Sequence, residues 1–109
     1  MASPNSAQTA LDMLVLTILC RRGPSHGYGI ASAIQELSRE ALRVDEGSLY
    51  PALHRMEEAA WIAAEWAMTE NKRRARIYRI NAAGTKQLKA ETERWNSFSG
   101  GVARVLRHA

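Results

Sequence analysis

Asp45-Glu46-Gly47-Ser48-Leu49-Tyr50-Pro51-Ala52-Leu53-His54-Arg55-Met56-Glu57 reads as an amphipathic helix with a polar, aromatic-bearing front end. Asp45 is a good N-cap, because its carboxylate can accept from the free N–H groups of a first turn. Leu49, Leu53 and Met56 form the inner stripe, and Tyr50, His54 and Arg55 point more outward. Deep inside a helix Pro51 would cost roughly 3 kcal/mol, and less in the opening turns. That sets the helix start at Glu46 or Gly47.

Downstream, Ile62, Ala64, Trp66 and Met68 alternate with Ala63, Glu65 and Ala67, which is the period of a strand. Thr69 to Arg74 is polar and basic, a hairpin loop, and Arg76, Tyr78 and Ile80 alternate with Ile77 and Arg79 on the return. The run Lys72-Arg73-Arg74-Ala75-Arg76 therefore lies at the tip and exit of a cationic ribbon. A helix able to enter a groove, beside a ribbon able to grip phosphates, is the layout of a winged helix-turn-helix DNA binder.

Upstream, Leu11, Leu14, Val15, Ile18 and Leu19 make one apolar stripe on a first helix. Thr9 is its expected N-cap, Arg21 and Arg22 suit its negative end, and Gly23-Pro24 stop it. Residues 1–8 read as a flexible leader. After the turn Ser25-His26-Gly27-Tyr28-Gly29 a second helix turns Ile30, Ile34 and Leu37 inward. Ser38 to Asp45 is a connector in which Leu42 and Val44 could anchor a very short strand.

Asn81 can cap a long last helix. Leu88, Trp95 and Val102 recur every seven residues, with Phe98 and Val105 between them and Glu91 breaking the pattern. This is an imperfect coiled-coil seam. A helix from Asn81 to Arg107 would be about 40 Å long, more than a small domain can cover, so a partner helix is expected. Gly100-Gly101 is a weak point in it. The fold class expected is mostly α with a small antiparallel β-wing: a winged helix-turn-helix over residues 9–80 and a dimerisation helix over 81–109.

The chain has 109 residues, 46% of them hydrophobic, which suffices for one modest core and argues against disorder. The net charge of +4 is local rather than spread, and alone gives DNA only a weak lead over RNA or a membrane surface. A single cysteine, Cys20, excludes an intrachain disulfide and fits a reducing compartment; in its apolar run it reads as a small buried side chain. The N-terminus lacks the features of a signal peptide, and Met13 to Cys20 is too short to span a bilayer, so a cytoplasmic protein is expected. No paired acid/base constellation, activated nucleophile, phosphate-cradling loop or metal-ligand cluster is present in the sequence, which argues against an enzyme, a cofactor or a metal site.

His26-Gly27-Tyr28-Gly29-Ile30, Gly47-Ser48-Leu49-Tyr50-Pro51-Ala52-Leu53-His54-Arg55-Met56-Glu57 and Arg73-Arg74-Ala75-Arg76-Ile77-Tyr78, in this order of elements, resemble the PadR family of bacterial transcriptional regulators. The resemblance runs from about Leu11 to Leu106 and is to the short subgroup with a single C-terminal helix. It implies a homodimeric winged-helix repressor on a pseudo-palindromic operator, in some relatives released by a phenolic or drug-like molecule. Ala60 and Ala67 stand where the family usually carries glycine, and Gly100-Gly101 is not typical of it.

The candidate DNA-binding residues are Tyr28, Ser48, Tyr50, Pro51, His54, Arg55, Asn71, Lys72, Arg73, Arg74 and Arg76. Arg55 could donate to a guanine or a phosphate, the tyrosine and serine hydroxyls to phosphates, and the wing cations to the backbone. Against this stand a solvated charged face and tyrosines that pack inside. The candidate dimer interface is Leu88, Trp95, Phe98, Val102 and Val105, with Trp95 either an anchor or a stacking wall for a small aromatic ligand. Trp61 and Trp66 read as supports of the wing-to-helix junction. The alternative from another class is an adaptor module whose last helix recruits a different protein.

Overall fold

The computed structural model describes residues 6–109, in the order α1 (Ser6–Arg22), β1 (Ser25–His26), α2 (Gly27–Leu37), α3 (Glu46–Glu58), β2 (Ile62–Met68), β3 (Arg74–Ile80) and α4 (Ala82–His108). The expected class holds: four helices and a three-stranded antiparallel sheet of order β1-β3-β2.

The middle of the molecule is α1, which touches α2, α3, β3 and α4. A helix surrounded on several sides needs more than one apolar stripe. Leu16, outside the predicted stripe, is accordingly as fully buried as Val15. α1 already runs from Ser6, so Thr9 lies within it rather than capping it, and residues 6–8 of the expected leader are helical. The rest of that leader lies outside the described residues. Ser6, Ala7 and Gln8 carry no apolar periodicity that could have registered them as helix. Cys20 is exposed, not buried as expected, because it follows Leu19 around the helix and leaves the core. The stop is as read: the Gly23 N–H donates to the Leu19 carbonyl at 3.2 Å, with Gly23 at φ 88°.

β1 was not anticipated. Ser25 pairs with Tyr78 and His26 with Ile77, so the loop before α2 becomes the third strand of the wing sheet. No strand forms around Leu42 and Val44; there the connector is turned by Arg39 and Glu40, both left-handed at φ 52° and 68°. The His26 ring caps α2, Nδ1 accepting from the Gly29 N–H at 3.0 Å. Ile30 and Ile34 are buried as read, but Leu37, the last residue of α2, is exposed.

α3 starts where Asp45 predicts, the carboxylate accepting from the Ser48 N–H at 2.8 Å. Leu49, Ala52, Leu53 and Met56 are buried against the core, and Pro51 stands in the second turn. The helix ends on Ala60 at φ 63°, whose N–H donates to Glu57 at 2.9 Å while Trp61 donates to Met56 at 3.1 Å. That pair of bonds is a Schellman closure, whose left-handed position normally holds glycine. The altered glycine position thus keeps the usual turn into the wing.

β2 and β3 pair from Ile62 opposite Ile80 to Met68 opposite Arg74. Asn81 caps α4, accepting from the Gly84 N–H at 2.9 Å, and its amide donates to the Ala60 carbonyl at 2.8 Å. A Cβ on Gly84 would lie 2.1 Å from the Trp61 carbonyl oxygen, so α4 can cross the start of β2 only with glycine there. α4 continues unbroken through Gly100-Gly101 for 27 residues.

Candidate nucleic-acid interface

The outward face of α3 presents Ser48, Pro51 and His54 to solvent. The His54 ring is 3.1 Å from the Glu58 carboxylate one turn on. Tyr50 is half exposed and its ring lies over Gly27, where an added Cβ would sit 2.8 Å from the tyrosine oxygen. The backbone of α2 and the front of α3 therefore meet through Tyr50. Tyr28 is 74% exposed on the first turn of α2, which removes the reading of a buried, turn-filling side chain.

Arg55 is placed differently from expectation. Its guanidinium makes two 2.7 Å bonds to the Asp12 carboxylate on α1. That carboxylate raises the Arg55 pKa, partly opposed by burial. An arginine so engaged fastens α3 to α1 instead of standing free for a base edge. Nothing local announced this, because Asp12 lies far away in sequence.

On the wing, Asn71, Lys72, Arg73 and Arg74 are exposed. The loop is closed by the Thr69 N–H donating to Arg73 at 2.8 Å and the Lys72 N–H donating to Thr69 at 2.9 Å, with Lys72 left-handed at φ 59°. Arg76 is engaged: Nη2 donates to Glu57 of α3 at 2.7 Å, and the bond to that carboxylate raises the arginine's pKa. This pair ties the wing's return strand to the last turns of α3. Trp61 is partly buried against the core, and its main-chain carbonyl accepts from the Asn81 N–H at 3.1 Å. Trp66 does not support the wing-to-helix junction. It is 57% exposed, with the Arg74 guanidinium 4.9 Å and that of Arg76 5.8 Å from its ring centre. The alternation of Trp66 and Met68 across from Arg76 and Arg74 was the signal available in the sequence; it needed the register to be interpreted.

On α4, Leu88 packs against the chain's own core, so it is not free for the seam expected there. Trp95, Phe98, Val102, Val105 and Leu106 are exposed, and the rings of Trp95 and Phe98 meet at 6.1 Å. An apolar groove of about 490 Å³ runs along Phe98, Gly101, Val102, Val105 and Leu106. Glu91 is buried, with Oε1 accepting from Gln87 at 2.7 Å and also bonded to Arg94.

The model of the Transcriptional regulator PadR-like family matches residues 15–90. The chain belongs to the PadR-like family. That family is one of transcriptional regulators. It is 43% identical over 54 residues to a transcriptional regulator of Mycobacterium tuberculosis, a match covering 50% of each chain. Among solved structures it resembles a transcriptional regulator from Clostridium thermocellum, at 27% identity and TM-score 0.81, over 95% of this chain and 97% of that one. A PadR family regulator from Eggerthella lenta is similar at 28% identity and TM-score 0.75, over 92% and 84%. The matches span half or less of the length of the curated relatives. Among the described residues of this PadR-like chain no group of side chains could hold a metal ion, and no helix is long and apolar enough to cross a membrane.

Proposed function

We propose that the chain is a sequence-specific DNA-binding repressor acting as a homodimer. The Glu57–Arg76 pair at 2.7 Å carries this reading, because it keeps the groove helix and the cationic wing in one plane of approach. Ser48, Tyr50, Pro51 and His54 then face the major groove, Tyr28 and the N-terminus of α2 face a phosphate, and Asn71, Lys72, Arg73 and Arg74 follow the backbone. Arg55 and Arg76 act behind this surface, holding α3 and the wing.

The exposed groove on α4 supports self-association: a second α4 laid on Trp95, Phe98, Val102 and Val105 would remove their apolar surface from water. Two copies would set their α3 helices about one duplex turn, roughly 34 Å, apart on a pseudo-palindromic site. The Trp95 and Phe98 rings would flank the space between protomers, where a flat aromatic effector could stack.

Duplex binding is expected to weaken steeply with salt. Arg73→Ala with Arg74→Ala should lower affinity for every sequence and flatten the salt slope by about two released-ion units. Salt-independent binding, or none to any duplex, overturns the proposal. Size-exclusion of the pure chain tests the dimer; a monomer that pairs only in lysate points to the adaptor reading. Quenching of tryptophan fluorescence by planar aromatics, lost in Trp95→Phe, tests the effector site.

A further inference from the structure

We infer that Trp66 is a positioning residue for the DNA-contacting wing: its indole is the shelf that fixes Arg74 for the phosphate backbone. This rests on the proposed DNA binding and deepens it. On the inner face of β2, Ile62 is buried, Ala64 half-buried and Trp66 57% exposed, so the strand carries the indole out past the core. A large aromatic left this open gains little by burial and has its π face free.

Two guanidiniums lie against that face. Arg76, directly opposite in the register, is already held by Glu57 at 2.7 Å. Arg74, on the diagonal, lies closer, at 4.9 Å from the ring centre. Among the described residues no carboxylate comes within ion-pair distance of Arg74. Its partner inside the molecule is thus the indole, which orients the cation without neutralising it. An arginine held this way keeps its full charge for a phosphate and loses less rotamer freedom on binding. A carboxylate in the same place would have spent that charge.

The test is a double-mutant cycle on Trp66→Ala and Arg74→Ala, read by anisotropy with a labelled mixed-sequence duplex over a salt series. Trp66→Ala should weaken binding about threefold to tenfold and leave the salt slope unchanged. Arg74→Ala should lower the slope by about one. The double variant should bind little worse than Arg74→Ala alone, and Trp66→Phe should restore most of the loss. Additive losses in the cycle, or Trp66→Ala binding like the unaltered chain, overturn the inference while leaving DNA binding intact. A fall in slope of several units with Trp66→Ala would mean that the whole wing had collapsed, and also overturns it. If the unaltered chain binds no duplex, the DNA-binding proposal itself fails.

Discussion

Ala60→Gly should stabilise the fold. Ala60 sits at φ 63° in the closing turn of α3, a conformation in which a Cβ crowds the following carbonyl. For an L-residue this costs about 1–2 kcal/mol. The Ala60 side chain is exposed, so its removal sacrifices no packing. Against the relief stands the larger conformational freedom of glycine in the unfolded chain, about 0.4–1 kcal/mol. The net gain is about 0.5–1 kcal/mol, a rise of roughly 2–6 °C in midpoint for a domain near this size. Ala59→Gly is the control. Ala59 has φ −75°, so there the entropy term acts alone and about 0.5–1 kcal/mol should be lost. Urea unfolding of both variants, at one protein concentration because self-association shifts midpoints, measures the pair. If Ala60→Gly falls as far as Ala59→Gly, the left-handed turn into the wing does not exist.

Gly84→Ala should be severely destabilising, by about 3 kcal/mol or more, because the methyl would run into the Trp61 carbonyl, a backbone group rather than the end of a flexible side chain; thermal unfolding checks it. Asp12→Ala should cost about 1–3 kcal/mol, since it leaves the half-buried Arg55 guanidinium without its bidentate partner; equilibrium urea unfolding measures the loss. Burial raises the Tyr78 pKa, with Glu57 adding to the effect. Above the ordinary tyrosine value, about pH 10, the unfolded chain loses this proton before the folded one, so stability should decline with rising pH there. Tyr78→Phe should flatten that decline in alkaline urea titrations, and an unchanged slope would contradict it.

Elements whose signal is local were legible in the sequence. Asp45 and Asn81 name their helix starts by side-chain chemistry, and Gly23 names a stop. The stripe Leu49, Leu53, Met56 is buried as spaced. The alternation in Ile62 to Ile80 produced both wing strands. What failed depends on partners remote in sequence. A two-residue strand such as β1 has no periodicity, and exists only because β3 runs beside it. Leu16 looked dispensable because a single stripe suffices for a helix with one neighbour, and α1 has several. Arg55 looked free until α1 brought Asp12 to it. Trp66 and Arg74 were adjacent only once the register was known.

Under the proposed DNA binding, the central position of α1 has a consequence for operator architecture. Because α1 touches both α3 and α4, and Asp12 fastens it to Arg55, these two helices are braced against a common strut. In a two-fold assembly that brace would act as a ruler. Half-sites would have to keep one spacer length, and inserting a single base pair would swing one half-site about a tenth of a turn out of phase. A hinged joint at this place would tolerate such spacers; under the proposed DNA binding, a strut would make distance count as strictly as bases.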